Sequence, residues 1–216
     1  GEEFSLVKTL GTIDASTGYR SELVIKGNKT TPEFGGGLCQ IGTTTFRAAL
    51  ASGLPILERK SHSYRVRYYE PAGTDATIYD PKPDFRFLND TGHAILIQTH
   101  IDGDNVTFEF WGTKDGRVAQ QSTPKVTNIV APPPMKIIET TDLKPGVKKC
   151  TEIAHNGADA VFTYTVTYAD GTVKREDFKS HYKPWQAVCL LGVKKDAKKE
   201  AAPTTNTNTN TSANTN

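Results

Sequence analysis

The sequence is short of three features that would assign it to common functional classes. No apolar run approaches the ~20 residues that a membrane-spanning helix needs, so we predict no transmembrane segment. The 26 basic and 24 acidic residues give a net charge of +2, and no basic patch is interleaved with aromatic residues, which argues against nucleic-acid binding. No histidine and cysteine residues have zinc-site spacing, and we predict neither a metal nor another cofactor.

Cysteine is also scarce, and its three positions, Cys39, Cys150 and Cys189, restrict the chemistry. An odd number leaves at least one thiol free if the other two pair. Pairing is favoured between Cys150 and Cys189, which would imply an oxidising compartment; the alternative is three reduced thiols, and spacing alone leaves both open. We predict the bridge because it would staple a short C-terminal module with few large apolar side chains and would leave Cys39 free.

The beginning of the chain lacks the marks of a secretory signal peptide. Its first residues, GEEF, include no methionine, no basic segment and no apolar segment. We therefore expect any signal or membrane anchor to lie outside this chain.

What the sequence does contain is a glycine-rich loop followed by a helical stretch. Gly35–Gly37 are consecutive glycines, and Gln40–Ser52 has a single glycine and no proline. Four apolar residues of this stretch can share one buried face at helical spacing: Ile41, Phe46, Ala49 and Leu50. Gly53 and Pro55 are typical of a helix end, so we predict that the helix stops there.

After Glu58 the sequence favours β-structure. Alternation of polar and apolar residues predicts strands at SYRVRYYE, HAILIQTHI and NVTFEFWG, the last two joined by a hairpin turn. Further along, VFTYTVTY and TVKREDF flank Asp170-Gly171 and predict a second hairpin. We therefore predict an α+β fold, with a helix after the glycine-rich loop and antiparallel strands, followed by a small all-β module.

Composition divides the chain into four segments. A domain over residues 1–130 is followed by a proline-rich linker over 131–135, which favours an extended spacer. Residues 136–193 are predicted to form the β module. Residues 194–216 are of low complexity with almost no apolar side chains, so we predict a disordered tail.

The position of Cys39 indicates a nucleophile. A helix N-terminus stabilises a thiolate through its unpaired amides and its dipole. Gly35–Gly37 would let a substrate approach the backbone closely, and the amides of Leu38 and Cys39 are candidates for an oxyanion hole. His62 lies 23 positions after Cys39 and is assigned as the base, with Asp75 as the group that orients its ring.

Residue types alone leave a plainer interpretation open. A cysteine at a helix start is commonly a small packed residue, and a histidine before a strand is commonly a surface residue. An aspartate among small residues commonly forms a turn, and three glycines commonly form only a flexible loop. The catalytic assignment therefore needs support from more than these residue types.

Four segments of residues 1–113 together resemble the VanW family, which is named for an accessory protein of vancomycin-resistance clusters. They are GEEFSL, GGGLCQIGTTTFRAALASGLPILER, SHSYRVRYYEPAGTDATI and DFRFLNDTGHAILIQ. Three glycines before Cys-Gln, with threonines following, are the most specific part. Residues 136–193 are similar to a small extracellular β-module named for its five glycines, of which we place Gly146, Gly157, Gly171 and Gly192.

The VanW resemblance implies an extracellular, cell-wall-associated protein that acts on peptidoglycan. It makes Cys39 the nucleophile of an L,D-transpeptidase, a transferase that attacks a stem-peptide carbonyl, expels the terminal D-amino acid and forms a thioester. The amine of a neighbouring stem would resolve this thioester and give a 3-3 cross-link. The residues that we assign to substrate binding lie in the resembling segments: Gly35, Gly36, Gly37, Leu38, Gln40, Tyr64 and Arg86.

Two other functions stay open at this point. In the first, the chain is a non-catalytic module that binds cell-wall peptides. In the second, it is a cysteine peptidase or amidase, in which water rather than an amine resolves the thioester. In each case the predicted partners are peptidoglycan stem peptides, and the chain is expected to be a monomer.

Overall fold

The computed structural model describes residues 1–26 and 29–194, and strands dominate its architecture. Within these residues there are fourteen strands and only two α-helices, of five and 14 residues. The predicted α+β fold class is therefore wrong, and the fold is mainly β with mostly antiparallel sheets. The reason lies after Ala51, where alternating apolar residues and frequent prolines favour extended segments over helix. The predicted tail, beyond Lys194, lies outside the described residues.

The two helices and the strands follow one another along the chain. The helices are α1 (Leu6–Leu10) and α2 (Leu38–Ala51). The first seven strands are β1 (Glu3–Ser5), β2 (Ser21–Lys26), β3 (Lys29–Phe34), β4 (Ile56–Glu58), β5 (Arg86–Leu88), β6 (Ile95–Asp102) and β7 (Asn105–Gly112). The next seven are β8 (Val118–Gln121), β9 (Lys125–Val130), β10 (Lys136–Thr140), β11 (Lys148–Glu152), β12 (Gly157–Thr167), β13 (Val173–Tyr182) and β14 (Val188–Gly192).

The strands of the described residues form five sheets. One has the order β1-β5-β4, one has the order β10-β14-β11, and β2 pairs with β3. The hairpin β6–β7 is present as predicted. In the central sheet, β12 pairs with β13 as the predicted second hairpin and also pairs with both β8 and β9. Strand β12 is therefore the axis of the largest sheet.

Helix α2 packs one face against this central sheet. Phe46, Ala49 and Leu50 are fully buried, as the helical spacing predicts. Complete burial of a phenylalanine contributes about 1.5–3 kcal/mol relative to exposure. The ring of Phe46 contacts that of Phe178 on β13, with centroids 5.5 Å apart. The middle of α2 is thereby packed against β13.

The central sheet crosses the boundary predicted at the proline-rich segment. Residues 131–135 have no regular secondary structure, but β8 and β9, which precede them, pair with β12, which follows them. One apolar core also contains side chains from both sides, among them Leu54 and Phe162. The two regions therefore share a sheet and a core, and their division into separate domains stays a prediction.

The strand predicted at SYRVRYYE, Ser63–Glu70, is not formed. The segment contains one turn of 3-10 helix at Arg67–Tyr69. Arg65 Nε donates to Glu70 Oε1 at 2.6 Å, which an extended strand would prevent because residues five apart would be about 16 Å apart and on opposite faces. A side-chain interaction within the segment thus overrides its alternating pattern.

The C-terminal strands are joined covalently. Cys150 of β11 lies opposite Cys189 of β14, and the two form a disulfide. Cys39 is the free cysteine. The bridge closes a segment that contains both β12 and β13. No helix among the described residues is long and apolar enough to cross a membrane.

Candidate active site

The N-terminus of α2 presents Cys39. Gly37 precedes the helix with a φ of 88°, a left-handed conformation that favours glycine. Gly36 packs so closely on Glu22 that an added Cβ would lie 2.3 Å from the Cβ of Glu22. Cys39 is the second residue of the helix and is partly exposed. The glycines thus place the thiol in the first turn of the helix.

The His62 ring bridges Cys39 and Asp75. Nδ1 of His62 is 2.6 Å from Oδ2 of Asp75, and the backbone N–H of His62 donates to the same oxygen at 2.7 Å. The Cys39 sulfur lies near enough to the ring to raise the pKa of His62. This sulfur also lies 3.6 Å from the carbonyl oxygen of Ile78. The three side chains have the order of a nucleophile, a base and an orienting carboxylate.

The Asp75 carboxylate is buried among hydrogen-bond donors. Its side chain is 4% exposed. Oδ1 accepts a hydrogen bond from the hydroxyl of Tyr182 at 2.5 Å and another from Nη2 of Arg59 at 3.3 Å. Nε of Arg59 also donates to the Asp75 carbonyl oxygen at 2.6 Å. Charge-assisted hydrogen bonds of this kind hold the carboxylate in one orientation.

These contacts set the protonation states. Burial raises the pKa of Asp75, but hydrogen bonds from His62 and Tyr182 outweigh it and lower the pKa to about 2. Burial lowers the pKa of His62, but its hydrogen bonds to Asp75 and to the Cys39 sulfur raise the pKa to about 9. At neutral pH, His62 is therefore an imidazolium paired with a carboxylate.

The same helix that carries Cys39 also holds the segment around Asp75. The Thr43 hydroxyl donates to the carbonyl oxygen of Ala76 at 3.2 Å and accepts from its N–H at 3.0 Å. Arg47 donates through Nε to the carbonyl oxygen of Thr74 at 3.0 Å. Helix α2 thereby fixes the Cys39 thiol relative to the segment that carries the Asp75 carboxylate.

Gly42 allows this close approach. An added Cβ at position 42 would lie 2.4 Å from Cγ1 of Ile78 and 3.4 Å from the carbonyl oxygen of Ala76. The carbonyl group of Ile78 is the one beside the Cys39 sulfur. A side chain at position 42 would therefore push the segment away from the Cys39 sulfur.

A cavity of about 440 Å³ opens in front of the thiol, and both Cys39 and His62 line it. Much of its wall is apolar or aromatic, as in Phe34, Val66, Tyr68, Tyr69, Ile78 and Tyr79. The ring of Tyr69 stacks on His62 with centroids 4.7 Å apart. Apolar walls with a few convergent polar groups are typical of ligand sites. No three His, Cys, Asp or Glu residues among those described are grouped as metal ligands.

Most of the residues predicted to bind substrate reach this cavity. Those that line it are Gly35, Gly37, Leu38 and Gln40. Gly36 instead lies against Glu22. Of the two amides predicted for an oxyanion hole, that of Leu38 donates to the carbonyl oxygen of Gly35 at 3.1 Å. The first four amides of a helix have no intrahelical acceptor, so the amide of Cys39 is the remaining candidate.

Tyr64 and Arg86 are not brought to the cavity. The Tyr64 ring packs edge-on against Trp185, with centroids 4.1 Å apart. Arg86 lies on β5 and forms ion pairs with Glu3 and Glu58. Neither residue lines the cavity, and their assignment to substrate binding stays a prediction.

The residues that surround Asp75 and His62 were not predicted from the sequence. Tyr182 and Arg59 hold the carboxylate, and Tyr69 covers the histidine ring. Arg59 and Tyr69 both lie between Cys39 and Asp75 in the sequence, so their proximity to these residues could have indicated them. Tyr182 follows Asp75 by 107 positions, and no local pattern marks it.

Comparison with known proteins identifies the segment that carries the site. The model of the VanW like protein family matches residues 1–111. The chain is 35% identical over 112 residues to "Uncharacterized protein YoaR" of Bacillus subtilis (strain 168), over 52% of this chain and 37% of that protein. It is 29% identical over 119 residues to the Vancomycin B-type resistance protein VanW of Enterococcus faecalis (strain ATCC 700802 / V583), over 53% of this chain and 43% of that protein.

The matched segment contains Cys39, His62 and Asp75 and ends before β8. The matches span less than half the length of each of these curated relatives. The five-glycine resemblance of residues 136–193 stays a prediction. The VanW resemblance is confirmed over about half of the chain, and the protein therefore belongs to the VanW-like family.

Proposed function

We propose that the protein is a peptidoglycan L,D-transpeptidase that forms 3-3 cross-links through a thioester on Cys39. The observation that carries this proposal is the His62 ring, which bridges the thiol and the buried Asp75 carboxylate. Family membership supports a role in the cell wall, since one relative is named a vancomycin B-type resistance protein. The cavity in front of the sulfur supports the binding of a peptide.

In the first half-reaction, the Cys39 thiolate attacks the carbonyl carbon that precedes the terminal D-amino acid of a donor stem. A C–S bond forms, and the carbonyl oxygen becomes an oxyanion that the Cys39 amide can stabilise. The C–N bond then breaks as the His62 imidazolium gives its proton to the departing amine. The products are a thioester, a free D-amino acid and a neutral His62.

In the second half-reaction, neutral His62 acts as the base. It takes a proton from the amine of an acceptor stem as the nitrogen attacks the thioester carbonyl. The C–S bond breaks, the new amide forms the cross-link, and the pair of Cys39 thiolate and His62 imidazolium is restored. Asp75 keeps its charge throughout and stabilises the imidazolium form.

The cavity walls suit such substrates. Aromatic and aliphatic side chains can bind the methylene and methyl groups of stem residues. Glu33 and Asp80 give one part of the wall acidic groups, which attract the ammonium form of an acceptor amine. Water competes with this amine, so the balance between cross-linking and hydrolysis depends on how the cavity binds the acceptor.

We further propose that the protein acts outside the cell membrane and in contact with the wall. The disulfide between Cys150 and Cys189 supports an oxidising compartment. The five-glycine-like resemblance of residues 136–193 supports a second, wall-associated role for the C-terminal region.

Intact-protein mass spectrometry tests the proposal. Wild-type protein and a Cys39→Ala variant are incubated with a tetrapeptide stem, with and without a second stem as acceptor. We expect an acyl adduct on the wild type that lacks the mass of the terminal D-amino acid, and no adduct on the variant. Peptide mapping places the adduct on Cys39.

The released products separate the candidate functions. A cross-linked dimer of stems supports transpeptidation, and a tripeptide without dimer indicates a peptidase. Stem binding without adduct or product, in protein whose Cys39 is reduced, would leave only a binding module and would refute the catalytic proposal.

A further inference from the structure

We infer that strand β13, which lies outside the family-matched segment, is part of the catalytic apparatus, with Tyr182 as the residue that positions Asp75. The inference rests on the proposed function, because it concerns the activation of the same thiol. It assigns a role to a region that the family match does not reach.

The Tyr182 hydroxyl is fixed from both sides. The residue is 2% exposed and is the last of β13. Its oxygen accepts a hydrogen bond from the N–H of Gly73 at 2.7 Å and donates to Oδ1 of Asp75 at 2.5 Å. Because the N–H of Gly73 occupies its acceptor side, the hydroxyl proton points to the carboxylate. Oδ2 is then left to face His62.

A second link runs through Arg59, which is 3% exposed. Its Nη1 donates to Oγ of Ser180, also on β13, at 2.9 Å. Its Nη2 donates to the carbonyl oxygen of Gly73 at 2.8 Å and lies 3.3 Å from Oδ1 of Asp75. Strand β13 therefore holds the arginine as well as the carboxylate.

The end of β13 also holds the segment that carries His62. The N–H of Lys183 donates to the carbonyl oxygen of Ser63 at 2.7 Å. Trp185 packs against Tyr64 two positions after His62. The histidine and the aspartate are thus both docked on residues 180–185.

Residues 1–111 alone would leave this arrangement incomplete. Oδ1 of Asp75 and the N–H of Gly73 would each lose a partner in a buried place, which is unfavourable. The carboxylate would no longer be held in one rotamer, and Nδ1 of His62 would lose a fixed acceptor. The imidazole would then be free to turn away from the sulfur.

The test uses the full chain and the alkylation of Cys39, which needs no peptide substrate. The variants are Tyr182→Phe, Ser180→Ala and, as a matched control, Tyr164→Phe. The control removes another buried tyrosine hydroxyl of the same sheet, whose partner is the carbonyl oxygen of Leu54 rather than Asp75. Iodoacetamide rates are measured by intact mass, well below each melting temperature.

We expect Tyr182→Phe to slow the alkylation of Cys39 by about tenfold to a hundredfold, the equivalent of one charge-assisted hydrogen bond. Ser180→Ala removes an acceptor of Arg59, which in turn contacts Asp75, and should slow the alkylation by about threefold to tenfold. Tyr164→Phe should stay within about twofold of the wild type. In assays with stem peptide, Tyr182→Phe should lower kcat and leave KM unchanged.

A folded Tyr182→Phe variant that alkylates at the wild-type rate overturns the inference. So does an equal loss in Tyr182→Phe and Tyr164→Phe, which would mean that the hydroxyl serves only the fold. If Tyr182→Phe does not fold, Ser180→Ala decides by the same criterion. A wild-type thiol that is no faster than that of His62→Ala overturns the inference and the proposed function together. A fast thiol that never acylates with stem peptide refutes only the proposed function.

Discussion

The family-matched segment and the central sheet contribute different residues to one site. Cys39, His62 and Asp75 lie within 36 positions of one another, and α2 carries or contacts the segments around them. The central sheet offers no reacting atom, but it supplies the contacts of Tyr182 and Ser180. The residues proposed to react therefore come from one short segment, whereas the residues that hold them in place come from the whole fold.

The largest expected effect removes chemistry and leaves the fold. Cys39→Ala deletes the nucleophile, and acyl transfer should fall by about 10³-fold or more. Its side chain is only partly buried, so the melting temperature should change by no more than a few degrees. Turnover of a stem peptide and a thermal melt measure the two effects. Retention of turnover would move the nucleophile elsewhere.

The converse experiment removes stability and leaves the chemistry. The double variant Cys150→Ser, Cys189→Ser opens a bridge with a sequence separation of 39, so the free energy of unfolding should fall by about 4 kcal/mol in the chain-entropy model. Urea denaturation measures this loss. Alkylation of Cys39 in the folded variant should match the wild type; a thiol that lost its reactivity would show that the bridge supports the site directly.

A third test uses the link between protonation and stability. The pKa of His62 is about 9 in the folded protein against 6.5 for the ordinary side chain. The stabilisation that this shift gives the folded state is therefore fully present below pH 6.5 and is lost as the pH rises through 9. The wild type should therefore lose stability relative to His62→Gln as the pH rises through 9. Chemical denaturation of both proteins across this range measures the difference, and parallel curves would contradict the ion pair.

The smallest effect is expected at Gly42, where two terms oppose each other. Alanine gains about 1 kcal/mol of helix propensity. Its Cβ would lie 2.4 Å from Ile78, a buried side chain, and such overpacking costs about 1–3 kcal/mol. Net destabilisation of about 1 kcal/mol should accompany slower alkylation of Cys39. Gly112→Ala, whose nearest contact would be 3.5 Å, is the control and should change neither quantity.

Local patterns account for the parts of the molecule that the sequence predicted. The glycines before Cys39 and the apolar spacing after it mark the start and the buried face of α2. Alternation with Asp170-Gly171 marks the β12–β13 hairpin. His62 and Asp75 were found because both lie close to Cys39 in sequence, and the hydrogen bonds between them then bring the two side chains together.

The features that the sequence did not predict depend on side-chain contacts that no local pattern marks. Eight tyrosines are present, and nothing local singles out Tyr182 as the one that meets Asp75. The alternation at Ser63–Glu70 is overridden by the pairing of Arg65 with Glu70, which only the folded chain displays. The α+β prediction failed because a clear helix signal near Cys39 was given more weight than the many short strands that follow.

The bond between Asp75 and Tyr182 also dictates an order of events during folding. It joins residues 107 positions apart, and such long-range contacts form late and slowly because the intervening chain must first be organised. A growing or emerging chain that has not yet reached residue 182 can already contain its cysteine and its histidine. If β13 positions Asp75 as inferred, the thiol gains full reactivity only when this strand docks, and the site is completed only at the end of folding.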